Sequence, residues 1–340
     1  MSKRTTVGTH AIRIAVASAL VAAPLFTVVP AASADPVKPV AGVVSSKQVS
    51  DRELTLTVHS ESMDRDIPFK VLRPADDSAP RPTLYLLNGA GGGEDAANWF
   101  DRTDVVDFFG DKNVNGVVPM EGAFSYYTDW EKDAPELGRN KWTTFLTEEL
   151  PPVVDGALGT NGVNAIAGIS MAGGSVLSLA ESAPGLYRSV GAYSGCAQTS
   201  TQPGRMYVDL VVEGRGGADT ENMWGPKDGP GWAANDPVVN AEKLRGTELY
   251  ISSGSGVPGP HDRLDGPGIE GDVNTYANQM LLGTTIEAAA NQCTHALKGR
   301  LDELGIPATY DLEPVGTHAW PYWQDQLHKS WPVLGASIGA

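Results

Sequence analysis

A serine among small residues is the clearest indication of chemistry in this sequence of 340 residues. Ser170 lies in the pattern Gly-Ile-Ser-Met-Ala at 168–172, after an apolar segment at 163–167 and before an Ala/Leu-rich helical segment at 171–182. This order is typical of a nucleophile elbow, in which only small residues fit beside the nucleophile. The helix that follows directs its amide groups toward charge developing on a substrate. The alternative is a serine that only caps the helix.

A glycine-rich segment, Asn-Gly-Ala-Gly-Gly-Gly at 88–93, follows a continuous apolar run at 83–87. Such a loop can supply a backbone amide to an oxyanion, because glycine lets the chain approach a substrate closely. No Gly-Lys-Ser/Thr follows it, which excludes a phosphate-binding loop. A plain glycine-rich turn remains the alternative.

A general base should come from a histidine late in the chain. His318 follows the alternating strand predicted at 309–313 and is our candidate. Four of the other five histidines follow residue 34 and have less suitable positions, on a strand, in a loop, inside a helix and in the C-terminal helical stretch: His59, His261, His295 and His328. Because no His or Cys pair has the spacing of metal ligands, we predict no metal site.

The acid that orients the base is not settled by spacing. A carboxylate soon after the apolar strand at 247–251 would fit, which favours Asp262 or Asp265. Glu287, at the start of the next predicted helix, is the rival. All three remain open on these grounds.

Strand-like and helical segments alternate along the chain and would position these residues. Further strands are predicted at 54–58, 69–72 and 189–193, and further helices at about 141–150 and 285–304. The alternation predicts an α/β fold, a mostly parallel sheet with helices on both faces, in a single domain at 51–340. Two long irregular excursions are expected, at 196–246 and 254–271.

The N-terminal residues predict export. Three cations precede an apolar stretch at 14–29, and Ala-Ser-Ala follows at 32–34, so residues 1–34 read as a cleaved signal peptide and 35–50 as a polar lead-in. The mature protein would begin at Asp35, be secreted or held in the cell envelope, and have no further spanning segment. A net charge of −16, from 25 Lys+Arg against 41 Asp+Glu, argues against nucleic-acid partners.

Several segments resemble the mycolyltransferases of the antigen 85 type and related actinobacterial enzymes. The matching segments are SMDRDI (62–67), YLLNG (85–89), SYYTDW (125–130), KW (141–142), TFLT (144–147), GISMAG (168–173), MWGP (223–226), NDP (235–237) and GTHAW (316–320). The resemblance implies an α/β-hydrolase fold without a separate lid domain. It implies that Ser170 is the nucleophile, His318 the base and Glu287 the acid, which replaces Asp262 and Asp265 in that role.

The resemblance also implies a substrate site. The oxyanion amides would be those of Ala90 and Met171, and Trp320 matches an aromatic residue beside a sugar. The antigen 85 branch has Asp and Arg in the sugar-binding loop, where this chain has Asn88 and Gly91. Arg102, a little downstream, is our candidate to replace the lost cation.

The implied activity is transfer of a mycoloyl group from trehalose monomycolate to a sugar hydroxyl. The acceptor would be a second trehalose monomycolate or cell-wall arabinan, reached through an acyl-serine and without a cofactor. We expect a monomer. The alternatives are a secreted carboxylesterase and a non-catalytic, matrix-binding paralogue.

The two cysteines of the chain, Cys196 and Cys293, are predicted to form a disulfide, since an exported protein with a single Cys pair commonly joins it. Two buried free thiols are the alternative.

Overall fold

The structure is a computed structural model and describes residues 42–340. The predicted signal peptide, its cleavage point and residues 35–41 of the predicted lead-in lie outside the described residues. Residues 43–48, assigned from the sequence to the lead-in, form a strand instead. Within residues 42–340, no helix combines the length and the apolar character that a membrane crossing requires.

A twisted sheet of nine strands organises the described residues. The strands are β1 (Val43–Gln48), β2 (Glu53–Ser60), β3 (Arg65–Leu72), β4 (Thr83–Leu87), β5 (Asn115–Pro119), β6 (Asn164–Ile169), β7 (Tyr187–Tyr193), β8 (Glu248–Ser253) and β9 (Thr309–Leu312). Their spatial order is β1-β2-β3-β5-β4-β6-β7-β8-β9. Strands β1 to β3 pair antiparallel at one edge, and all pairs from β5 to β9 are parallel.

Helices cover both faces of the sheet. They are α1 (Trp99–Arg102), α2 (Val105–Phe108), α3 (Trp142–Thr144), α4 (Leu150–Leu158), α5 (Met171–Ser182), α6 (Gln202–Asp209), α7 (Thr220–Trp224), α8 (Pro230–Ala234), α9 (Pro237–Asn240), α10 (Val273–Asn278), α11 (Thr284–Leu304) and α12 (Trp320–Ile338). Stretches of π-helix lie at Phe145–Glu149, Leu210–Arg215 and Gln279–Gly283, and a 3₁₀ turn lies at Ala241–Leu244.

The predicted α/β class and the mostly parallel sheet are confirmed. Every residue of β4 is buried, as its continuous apolar run predicts, because both faces of this central strand are covered. Alternate residues supply two separate cores: Leu84 and Leu86 pack on one face, Tyr85 and Leu87 on the other. One expectation was wrong, since the predicted irregular region 196–246 contains four short helices.

The carboxyl ends of the parallel strands meet at one edge of the sheet. The glycine-rich loop follows β4, Ser170 follows β6, and Ser194 follows β7. Gly254 follows β8, and the loop to His318 follows β9. Ligands bind at this edge in open α/β sheets, so the topology alone brings the predicted site residues together.

Candidate active site

Ser170 lies at a sharp turn between β6 and α5. Its backbone has φ 55° and ψ −121°, a conformation that residues other than glycine rarely adopt. Its amide donates to the carbonyl of Tyr193 over 2.9 Å, which holds the turn against β7. A Cβ on Gly168 would lie 2.8 Å from the Cβ of Ala172, and one on Gly173 would lie 2.7 Å from the Tyr193 carbonyl oxygen. The small residues of the motif are therefore required by close packing.

Ser170, His318 and Glu287 form a continuous hydrogen-bonded line. The distance from Ser170 Oγ to His318 Nε2 is 2.7 Å, and that from His318 Nδ1 to Glu287 Oε2 is also 2.7 Å. Because a carboxylate only accepts, Nδ1 carries the proton and Nε2 is free to accept from the serine hydroxyl. This is the arrangement in which a histidine acts as general base toward a serine.

The Glu287 carboxylate is fixed by groups at the ends of two strands. Glu287 is 1% exposed, and its Oε1 accepts from Ser194 Oγ at 2.8 Å and from the Gly254 amide at 2.7 Å. The indole N–H of Trp323 donates to Ser194 Oγ at 3.1 Å, and its ring lies edge-on to His318 at 4.9 Å. A buried carboxylate with these donors is held toward the imidazole.

Ser194, Gly254 and Trp323 were missed by the sequence analysis. The available signal was positional, because Ser194 and Gly254 directly follow the ends of β7 and β8. The backbone around His318 has a further support, because the His318 amide donates to the Gly283 carbonyl at 3.1 Å.

Asp262 and Asp265, the other candidates for the acid, do not contact His318. Asp262 is buried and accepts from Thr317 Oγ1, the residue before the base, at 2.5 Å. Asp265 is exposed and pairs with Arg263 at 2.6 Å. The geometry thus favours Glu287 as the partner of the base.

The remaining described histidines bond elsewhere. Three pair with aspartates on the surface and the fourth with a backbone carbonyl: His59 with Asp66, His261 with Asp325, His328 with Asp104, and His295 with Asn291. None of them approaches Ser170 within hydrogen-bond distance.

The glycine-rich loop lies against Ser170. A Cβ built on Gly89 would be 3.5 Å from Ser170 Cβ, and the Ala90 carbonyl accepts from the Phe124 amide at 2.7 Å. Neither the Ala90 nor the Met171 amide donates to an acceptor within the described residues. Two free amides beside a serine can bind a developing oxyanion, although the assignment stays a prediction.

Asn88 is not placed to bind a substrate. It is 0% exposed, and its amide nitrogen donates to the carbonyl of Pro119 at 2.8 Å. Its Oδ1 accepts from the Trp99 amide at 3.2 Å. Because its polar atoms hold the loop and α1 together, we correct its predicted role from sugar contact to internal support.

The other predicted substrate contacts lie around the same edge. Gly91 is half-buried, and a Cβ there would clash with the Asp95 carboxylate, 2.5 Å away. Arg102 is exposed at the end of α1 and bonds to none of the three residues of the line. Trp320 is half-buried, with its ring edge-on to Trp99 at 5.6 Å. Their roles toward a sugar stay predictions.

The predicted disulfide is confirmed, since Cys196 and Cys293 are bonded. It joins the segment after β7 to α11, six residues beyond Glu287. The helix that carries Glu287 is thereby attached to the chain that leaves the central sheet.

No group of three or more His, Cys, Asp or Glu side chains in residues 42–340 is arranged to hold a metal ion. The site brings together a hydroxyl, an imidazole, a carboxylate and backbone amides. A mostly parallel sheet with this serine at a strand-to-helix turn defines the α/β-hydrolase fold.

Comparison with known proteins gives the family. The family model described as "Putative esterase" matches residues 60–333. Ag85A of Mycobacterium tuberculosis, a diacylglycerol acyltransferase/mycolyltransferase, is 32% identical over 295 residues, which are 84% of this chain and 81% of Ag85A. Ag85A of Mycobacterium leprae is 31% identical over 296 residues, with 84% and 83% covered. The chain belongs to this esterase family, and the resemblance to antigen 85-type mycolyltransferases is confirmed.

Solved structures of related proteins have the same fold. MPT51 (FbpC1) of Mycobacterium tuberculosis superposes with a TM-score of 0.70 at 25% identity, covering 85% of this chain and all of the other. An S-formylglutathione hydrolase from Agrobacterium tumefaciens has a TM-score of 0.62 at 15% identity, covering 88% of this chain and 100% of that one, which shows the shared fold alone.

Proposed function

We propose that this chain is an exported acyltransferase that moves a mycoloyl group from trehalose monomycolate to a sugar hydroxyl through an acyl-enzyme on Ser170. The supporting observation is the line from Ser170 through His318 to Glu287, with 2.7 Å between the atoms at each step. The substrate class comes from the relatives, which are named as mycolyltransferases.

In the first half-reaction, Ser170 Oγ attacks the ester carbonyl carbon and its proton passes to His318 Nε2. The carbonyl oxygen gains negative charge and is bound by the amides of Ala90 and Met171. As the tetrahedral intermediate collapses, His318 returns the proton to the trehalose oxygen, and the acyl group remains on Ser170. Glu287 stabilises the imidazolium throughout.

In the second half-reaction, a sugar hydroxyl replaces trehalose. His318 takes its proton, the hydroxyl oxygen attacks the acyl carbon, and Ser170 Oγ leaves with the proton from His318. A sugar outcompetes water only where the protein holds and orients it, since oriented binding raises the effective concentration of a nucleophile. The acceptor would be trehalose monomycolate or wall arabinan, with the protein acting as a monomer.

Exposed apolar side chains beside the site support a long acyl chain. Four such side chains lie on α6 and on the π-helical stretches Leu210–Arg215 and Gln279–Gly283: Met206 (65% exposed), Leu210 (46%), Leu281 (70%) and Leu282 (56%). The last two directly precede Gly283, whose carbonyl accepts from the His318 amide. Large exposed apolar side chains grouped at a site are suited to an apolar ligand.

Export rests on the predicted signal peptide, with Asp35 as the first mature residue. N-terminal sequencing of the protein recovered from culture medium and cell envelope tests this. A protein that still began at Met1 would contradict it.

Product analysis tests the activity. Purified protein is incubated with acyl-radiolabelled trehalose monomycolate, and dimycolate is resolved from free mycolic acid, with Ser170→Ala as the control. We expect dimycolate as the main product and none from the variant. Free acid as the only product would instead support a carboxylesterase, a candidate that the family description favours. No turnover at all would support the non-catalytic alternative.

A further inference from the structure

A segment with an unusual backbone lies beside the glycine-rich loop, in the connection between β5 and α3. Within this 122–127 segment, four residues have a positive φ: Gly122 (107°), Phe124 (57°), Tyr126 (56°) and Tyr127 (46°). Residues other than glycine rarely adopt such angles, and a strained backbone persists only where neighbouring contacts determine it. The contacts that this segment makes therefore call for an explanation.

Two of these contacts reach the residues whose amides are assigned to the oxyanion. The Phe124 amide donates to the Ala90 carbonyl at 2.7 Å, and the Tyr126 amide donates to Met171 Sδ at 3.4 Å. Met171 is fully buried, so its side chain is held where this weak acceptor can be reached. One short segment thus binds both sides of the predicted oxyanion site.

The direction of the Ala90 N–H is set by the turn around it. This N–H and the Gly89 carbonyl belong to one planar trans peptide, in which the two groups point in opposite directions. The Gly89 carbonyl accepts from the Gly92 amide at 3.0 Å. Gly92 has a φ of 64°, and a Cβ on it would lie 2.4 Å from the Ala123 nitrogen. The turn that aims the Ala90 N–H therefore depends on close packing against the 122–127 segment.

The side chain of Glu94, directly after the glycine-rich loop, holds these two pieces of chain together. Its Oε1 accepts from the Gly122 amide at 3.1 Å and from the Ala123 amide at 3.0 Å. Its own amide donates to the Gly91 carbonyl at 3.0 Å, which continues the turn. Hydrogen bonds from amides to a carboxylate are stronger than those between neutral groups. With the bond from Phe124, three successive amides of the segment hold the loop.

We propose that Glu94 is a positioning residue that places the Ala90 amide for the oxyanion by holding the glycine-rich loop against the 122–127 segment. Glu94 has no hydrogen bond to Ser170, His318 or Glu287 in the part of the chain that the structure describes, so it acts through Ala90. The inference rests on the proposed acyl-enzyme function. It makes the predicted oxyanion site depend on an exposed carboxylate outside the hydrogen-bonded line.

Glu94→Ala removes the acceptor of two amides and leaves the loop free to shift. A displacement of about 1 Å at a reacting group can lower a rate by about a hundredfold. We expect the rate constants of acylation and deacylation to fall together, by about tenfold to a hundredfold, because an oxyanion forms in both half-reactions. KM should stay nearly unchanged, since both steps slow alike. The pH dependence of kcat should also stay, because the bond between His318 and Glu287 is not touched.

The assay is pre-steady-state hydrolysis of a p-nitrophenyl acyl ester, with rates expressed per titrated active site. The burst reports acylation and the later phase reports deacylation. Glu94→Gln keeps an oxygen that can accept from both amides and should restore most of the lost rate. Asp95→Ala is the matched control, since it removes the neighbouring exposed carboxylate, whose Oδ1 accepts from the Ala97 amide of the same loop at 3.1 Å. This control should behave as wild type.

Wild-type rate constants in Glu94→Ala would overturn the proposal, even if the free energy of unfolding fell, because the residue would then serve stability alone. Equal losses in Glu94→Gln and Glu94→Ala would overturn it as well. If the Ala variant does not fold, Glu94→Asp, with a carboxylate one carbon shorter, gives the same measurement with a smaller expected loss.

Ser170→Ala separates this inference from the function on which it rests. If that variant still hydrolyses the ester, the acyl-enzyme itself is wrong. If it is inactive while Glu94→Ala keeps wild-type rates, only the role of Glu94 fails.

Discussion

Asp262 holds together the segments that surround His318. Its two carboxylate oxygens accept from Gln279 Nε2 at 2.6 Å, Thr317 Oγ1 at 2.5 Å, the Gly259 amide at 2.7 Å and Tyr322 Oη at 2.6 Å. Gln279 lies in the π-helical stretch before α11 and Tyr322 in α12. Thr317 lies in the loop that carries His318, and Gly259 in the turn just before Asp262. The sequence alone gives Asp262→Asn no effect on activity, because it assigns the acid to Glu287. The four hydrogen bonds instead predict that this substitution lowers both kcat and the free energy of unfolding.

The magnitude follows from these four bonds. An asparagine offers one acceptor oxygen where the aspartate has two, so the donors on one oxygen of Asp262 lose their acceptor. The hydroxyls can rotate, but the Gly259 amide cannot. Leaving one or two buried donors unpaired costs about 1–3 kcal/mol of unfolding free energy. A shift of the Thr317 loop by about 1 Å would lower kcat by up to a hundredfold.

Steady-state kinetics on a p-nitrophenyl ester, together with urea denaturation, measures both effects. We expect kcat to fall at least tenfold with KM nearly unchanged, since Asp262 lies behind the base and not at the substrate. Asp265→Asn, three residues along and exposed, is the control and should behave as wild type. Wild-type kcat in Asp262→Asn would refute the argument that this carboxylate positions the base.

Four further outcomes are expected. Glu287→Gln should lower kcat by about 10⁴, as the loss of the acid does in related triads, and a smaller loss than tenfold would contradict its role. Burial raises the pKa of Glu181 to about 9, so the folded protein holds a proton that the unfolded chain releases near pH 4.5. The free energy of unfolding should therefore fall as pH rises from about 4.5 to 9, by up to about 1.4 kcal/mol per pH unit. Glu181→Gln should abolish this slope in urea denaturation series, and an unchanged slope would refute it. Replacing Cys196 and Cys293 by Ser opens a loop of 97 residues and should cost about 4 kcal/mol of unfolding free energy, whereas a loss below 1 kcal/mol would contradict the estimate. Trp320→Ala should reduce transfer to trehalose more than hydrolysis of a simple ester, and equal losses would mean that its ring only packs.

The elements around the site could be predicted where the local pattern is strong. The run at 83–87 and the segment around Ser170 each combine an apolar strand with small residues at the turn that follows. This combination is typical of a buried strand that ends in a tight turn. His318 could be predicted because it lies in the loop that follows the alternating strand at 309–313. These are local signals, and the sequence contains them in full.

Contacts between distant segments could not be predicted in this way. Glu287 and Asp262 are both carboxylates before the base in sequence, and only the fold decides which one faces the imidazole. Asn88 has the position of a sugar contact along the chain, yet its side chain turns inward to Pro119 and the Trp99 amide.

The most direct test of the account is to observe the acyl-enzyme and its fate. The protein is mixed with a donor ester, quenched in acid and analysed by intact and peptide mass spectrometry, with and without added trehalose. We predict one acyl group on the peptide containing Ser170, discharged faster by trehalose than by water, with the acyl group recovered on the sugar. An acyl group absent from Ser170, or discharged at the same rate with trehalose present, would contradict the central claim.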